Sequence, residues 1–159
     1  MALFRVLRGE EILSNKKVAS ATAKGSFVDL DPADSTMVVA ANGGFLGVLL
    51  QDVVADTGQF FKRNSLGIRN TTEVKIGSAV DLQMGIIDML TNNVVLSPAT
   101  GGLSATTSAD TELEVYNGQP RILQTGGRKM GRLVRYVPAN SAEFGNSEAA
   151  YQIAVNKGA

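Results

Sequence analysis

Cysteine and histidine are both absent from this 159-residue chain. Without cysteine there are no disulfide staples, no thiolate nucleophile and no cysteine-ligated metal. Without histidine the commonest general base is missing, along with Ser-His and Cys-His nucleophile pairs and most zinc sites. Charge of one sign is also lacking: fifteen basic residues face fifteen acidic ones, which removes any global pull toward nucleic acid or acidic lipid. No run approaches the roughly twenty apolar residues that cross a bilayer as a helix. The start, MALFRVLRGEEIL, has its apolar stretch broken by Arg5 and Arg8, unlike a secretory signal, so synthesis in the cytoplasm is expected. Long capped helical patterns are missing as well. The composition is that of a structural or binding protein rather than an enzyme, with no cofactor, no metal site and no membrane segment expected.

What is present is period-two hydrophobicity. From Glu73 to Ile86 one face carries Val74, Ile76, Val80, Leu82, Met84 and Ile86, and the other carries Glu73, Lys75, Gly77, Ala79, Asp81, Gln83 and Gly85. Successive side chains on a strand point to opposite faces, so this predicts one half-buried strand. A helix over the same residues would hold two glycines at about 1 kcal/mol each. Tyr151, Ile153 and Val155 repeat the alternation near the C-terminus. TELEVY, with Leu113 and Val115 on one face, runs into Asn117-Gly118, a hairpin signal because both residues tolerate positive φ. RILQT then returns, with Pro120 at its start. TMVVAA, GFLGVLL and NNVVL read as short buried strands, Gly47 marking a bulge or close backbone approach, and QDVVAD as a short helical turn. Seventeen glycines suit many short strands and tight turns. The fold class expected is all-β: a small barrel or sandwich over residues 26–159, preceded by an extended N-terminal arm over residues 1–25.

That arm lacks a sustained period and holds Arg5, Arg8, Lys16, Lys17 and Lys24 against Glu10 and Glu11. Residues 97–111, SPATGGLSATTSADT, read as a long exposed loop. Asp29, Asp31 and Asp34 cluster in DLDPADS, but the glycine and distant glutamate of a calcium loop are missing, and a plain turn is the expectation. QTGGRKMGRLVRYV has Gly126 and Gly131 at the interval of a phosphate loop, yet Arg132 and Leu133 stand where lysine and a hydroxyl are needed. It therefore reads as a glycine turn entering a strand. Five basic residues between Arg121 and Arg135 meet phosphate needs, but only Tyr136 offers stacking, so nucleic acid is not the expected partner. Arg128, Lys129 and Arg132 are candidate contacts to an acidic protein surface.

The order of elements resembles the head decoration, or cement, proteins of tailed bacteriophages. Three segments carry the resemblance: ANGGFLGVLLQDVVADTGQ, similar to a GxxGVxLxDV strand and its turn; EVKIGSAVDLQMG, similar to a glycine-kinked central strand; and VYNGQPRILQTGGRKMGRLV, similar to a closing GxxxGRxL element with Gly127, Gly131 and Arg132 in place. Val134 follows Leu133 where that pattern has small residues. The resemblance implies a β-barrel or β-tulip domain on the capsid exterior. Such a domain bridges major capsid subunits as a homo-oligomer, a trimer before a dimer, with its N-terminal arm laid on the shell. Leu3, Phe4, Arg5, Leu7 and Arg8, with Arg128, Lys129 and Arg132, are then the expected capsid contacts. Other readings are a different virion β protein (tail-tube, head-completion or fibre-associated) and a nucleic-acid-binding β-barrel.

Overall fold

The computed structural model describes residues 3–31, 36–41, 43–55 and 73–156. Its sheet is assembled on β7 (Ala79–Thr91), which grows out of the strongest alternating segment. β1 (Phe4–Lys17) runs antiparallel along one edge of β7. The opposite edge is divided between two strands. Leu82 and Gln83 pair with β4 (Gly47–Leu49), whereas Ile87 to Thr91 pair with β11 (Ala150–Val155). From β4 the sheet continues to β2 (Phe27–Leu30) and β3 (Met37–Val39). From β11 it continues to β10 (Lys129–Val137), β8 (Glu112–Tyr116) and β9 (Gln119–Ile122). The result is all-β, a curled antiparallel half-barrel, as the period-two pattern predicts.

The two branches meet again at Asn117-Gly118, between β8 and β9. Both residues hold positive φ, 48° and 76°, as a primed two-residue turn demands. Their backbone is bonded to the far branch: Phe27 N donates to Gly118 O (2.9 Å), Gly118 N to Ala40 O (2.7 Å) and Asn117 N to Ala41 O (2.9 Å). One local turn thus closes both a hairpin and the barrel wall.

Apolar side chains gather in three clusters. The largest draws on both branches, including Phe27, Phe45, Val48, Ile87, Met89, Leu113, Val115, Leu133 and Ile153, with Phe27 and Phe45 edge to face at 5.0 Å. A second holds Val28, Met37, Leu49, Val80 and Leu82, with Val53 from β5 (Asp52–Val54) and Val74 from β6 (Glu73–Lys75) packed on it. β5 and β6 form a separate parallel pair. The third, Leu90, Val137 and Ala150 with Leu3, Leu7 and Phe144, lies under the 138–149 loop. Burying so much of both sheet faces is what a chain with 44% hydrophobic residues can support.

Several expectations need correction. The strand expected over residues 73–86 is two strands, broken by the turn at Ile76-Gly77 and continued to Thr91. Within β7 a β-bulge sets Gly85 and Ile86 against Glu10 alone, since Gly9 pairs with Ile87 and Glu11 with Met84. Gly85 takes φ +80°, and beyond it the buried positions pass from Val80 and Leu82 to Ile87 and Met89, leaving Ile86 53% exposed. QDVVAD is not a helical turn, because Asp52–Val54 finds β6 as a pairing partner. NNVVL forms no strand; Leu96 makes only an isolated bridge to Leu103, whose buried side chain pins an otherwise largely exposed loop. Gly47 does sit close to another backbone: a Cβ there would lie 2.8 Å from Gln83 O. Of the N-terminal residues, Phe4–Lys17 form β1 and are laid along β7, with Phe4 and Val6 packed on the main core.

Replacing Gly85 by valine should lower stability by about 1–3 kcal/mol, from backbone strain at positive φ and contact with the Glu10 side chain, read as a lower urea midpoint at constant m-value. Tyr151, edge to face with Tyr136 at 5.4 Å, has its pKa raised above 10.0 by burial and by Tyr136. The unfolded tyrosine therefore loses its proton first, and stability present below pH 10 falls as pH rises through the folded value. Tyr151→Phe should flatten that alkaline slope in urea melts taken above pH 10.

Candidate interaction face

The arginines that the sequence spreads over 130 positions are collected by strand register. Arg8 pairs with Asp88, Asp88 with Ala154, Ala154 with Arg132 and Arg132 with Glu112, one row across β1, β7, β11, β10 and β8. Directly opposed residues of an antiparallel sheet share a face. The neighbouring row, Gly9, Ile87, Val155, Gly131 and Leu113, holds the buried Ile87, Val155 and Leu113 and faces the core, so the arginine row faces outward. A second row on the same side of the sheet runs Arg5, Leu90, Gln152, Arg135, with Leu90 buried in the third apolar cluster.

Both basic strands use the same device. Arg5 and Arg8 are three residues apart, as are Arg132 and Arg135, and an unbroken strand would send the members of each pair to opposite faces. A register shift between Val6 and Arg8, and another between Leu133 and Arg135, inserts one residue in each strand, Leu7 and Val134. The bulges bring all four guanidinium-bearing residues to one side. The four stand at the corners of a patch about 7 Å along the strands and about 14 Å across three strand spacings.

The acids on this face are engaged, Glu112 and Glu143 while exposed and Asp88 while half-buried. Arg132 Nη2 lies 3.7 Å from Glu112 Oε1 and Lys129 Nζ 3.5 Å from the same atom. Arg135 is paired with Glu143, donates through Nε to Gln152 Oε1 (3.0 Å), and has its guanidinium carbon 5.2 Å from the Phe144 ring centroid. Gln152 Nε2 donates to both Asp88 carboxylate oxygens at 3.2 Å. Arg5 Nη1 donates to Phe144 O (3.2 Å), and Arg8 makes no ion pair among the described residues. Exposed pairs of this kind contribute little, about 0–1 kcal/mol each, so the arginines exchange partners cheaply. Beside Arg8, Asp88 and Ala154, a cleft of about 370 Å³ is also lined by Glu10 and the exposed Ile86.

The glycine loop is a turn, as its sequence suggests, with Gly126 at φ +80°. What holds it is Glu114, 5% exposed, which accepts from Arg121 Nε (2.9 Å) and from Gln124 N (3.3 Å). Arg121 in turn stacks on the Tyr116 ring, 3.8 Å from its centroid. Gly127 packs so closely on the Glu114 carboxylate that no side chain fits between them.

Of the eight residues singled out in the sequence, Arg5, Arg8 and Arg132 share this face, and Lys129 joins them through Glu112. Arg128 stands apart, its stem over Gly43. Leu3 and Leu7 belong to the third apolar cluster and Phe4 packs on the first, so their contacts are internal. Leu3 N also donates to Asn92 Oδ1 (2.7 Å). Arg135, Asp88 and Gln152 were missed; the only sequence signal was Arg135 in the basic run 121–135, and nothing local ties Asp88 or Gln152 to it. Among the described residues no three acidic side chains converge as metal ligands. Asp29 Oδ1 accepts from Leu30 N, while Asp34 lies outside the described residues. A comparison with protein-family models and with curated proteins finds no match.

Removing Glu114 leaves Arg121 largely buried and unpaired. Glu114→Ala should cost about 2–4 kcal/mol in chemical denaturation, well above the cost of Glu143→Ala, whose ion pair is exposed.

Proposed function

We propose that this chain is a structural binding protein of a virion, one that sits on the outside of a phage capsid and holds neighbouring major capsid subunits together. The observation that carries this reading is the outward patch of Arg5, Arg8, Arg132 and Arg135, set on strands whose opposite side is core. A face of this kind is rigid before binding, so little conformational entropy is lost when an acidic surface docks. Its arginines are held only by exposed, exchangeable partners, and bidentate guanidinium–carboxylate contacts give such docking its orientation. The resemblance of the glycine-punctuated β segments to capsid decoration proteins supplies the class of partner.

In this reading the N-terminal residues act as part of the body. Phe4 and Val6 help cover the main core, so deleting residues 1–12 is expected to destabilise the domain and not merely to remove a tether. The face is better tested by Arg132→Glu combined with Arg135→Glu, which leaves β1 untouched. Mixed with expanded, undecorated capsids of the same phage, the double variant should remain folded and bind at least about tenfold more weakly by co-sedimentation. Capsid binding equal to that of the unaltered chain would overturn the proposal. Salt-sensitive binding to DNA or RNA that is lost in the same variant would instead favour the nucleic-acid reading.

A further inference from the structure

β1 is paired through one edge only among the described residues, and its middle is open. Arg8, Gly9, Glu10, Glu11 and Ile12 are all exposed, five in a row, where a strand covered on one face and flanked on both edges would alternate. Ile12 is 60% exposed, and Ile86 on the adjoining bulge is 53% exposed. We propose that this edge pairs with the same edge of a second copy, forming a two-fold dimer in which Gly9 lies on the axis.

Symmetry restricts the register sharply. Backbone N–H and C=O groups point to a given edge only at alternate residues. When two identical antiparallel strands are related by a two-fold axis, the residue at the axis must therefore oppose its own copy. Gly9, Glu10 and Glu11 lie at the centre of the open stretch, with Arg8 beside them. Arg8 on the axis opposes arginine to arginine, and Glu10 or Glu11 on the axis opposes glutamate to glutamate; like charges directly opposed are unfavourable. Gly9 on the axis carries no side chain, and it sets Arg8 of each copy against Glu10 of the other, twice. Arg8 and Glu10, two residues apart on one strand face, already line the same cleft, so their side chains are presented together. The same register carries Ile12 of each copy toward the bulged Val6–Leu7 segment of the other, covering apolar surface.

Edge strands are usually kept from pairing by proline, by charged side chains, lysine above all, or by bulges. β1 has no proline, and its open stretch bears charges of both signs in a self-complementary order. The residues inserted in β1 lie at its ends, between Val6 and Arg8 and between Leu13 and Lys16, while the irregularity opposite Glu10 belongs to β7. Residues 8–13 therefore stay regular. The dimer extends the sheet from one copy into the other and places the two arginine faces side by side.

Arg8 belongs to both readings, but their tests are separate: the capsid test uses Arg132 and Arg135 and reads capsid binding, and the dimer test reads mass. Size-exclusion chromatography with light scattering is expected to give twice the 16.7 kDa chain mass. Arg8→Glu and Glu10→Arg should each weaken dimerisation by at least about tenfold, since every reversal acts twice across the axis. The double variant Arg8→Glu/Glu10→Arg restores opposite charges and should restore the dimer. Far-UV circular dichroism checks that each variant is folded. A wild-type monomer at every concentration, a trimer, a dimer indifferent to both single reversals, or a double variant that stays monomeric would each overturn the proposal.

Discussion

The rest of the structure depends on how β7 is paired. A strand has two edges, and a conventional sheet gives each edge to one neighbour. Here β1 takes one edge whole, and the other is passed from β4 to β11 along the length of the strand. The change of partner falls at Gly85 and Ile86, where the extra residue bends the strand and raises its twist. Without that bend the branches would compete for the same space. With it, one strand carries two sub-sheets that curl toward each other and enclose the main apolar cluster.

Closure is then a matter of a few backbone hydrogen bonds. The Asn117-Gly118 turn fits against Phe27, Ala40 and Ala41 because its positive φ angles turn its N–H and C=O groups outward to the neighbouring branch. Glu114 and Arg121, opposed on β8 and β9, anchor the adjacent glycine loop from the same hairpin. Local turn chemistry and long-range closure coincide in one short segment, so a change there costs the hairpin and the wall together.

The geometry of the arginine face follows from the same bulging habit. On β1 and on β10 one inserted residue converts an i, i+3 arginine pair from opposite faces to one face. The two strands are three spacings apart in the sheet, and β7 and β11 between them contribute Asp88 and Gln152, which organise the charges without neutralising the patch. β1 belongs both to that patch and to the open sheet edge.

Much of the β architecture was legible in the residues themselves. The alternations at Leu113–Val115 and Tyr151–Val155, the Asn117-Gly118 hairpin, the close approach at Gly47 and the turn nature of TGGRKMG all follow from side-chain period and backbone tolerance, which act over a few residues. Those same rules misjudged QDVVAD and merged residues 73–86 into one strand, because pairing partners and a mid-strand bulge decided both. The arginine face was half visible: Arg5, Arg8 and Arg132 stood out by charge, but their meeting with Arg135, Asp88 and Gln152 needed register across four strands. Composition and local pattern determined that this chain forms short strands and tight turns, with neither histidine nor cysteine chemistry. Only the tertiary structure decided which face each arginine occupies and which edge stays open. Bulges and strand order are set by packing between segments far apart in the chain, not by the residues on either side.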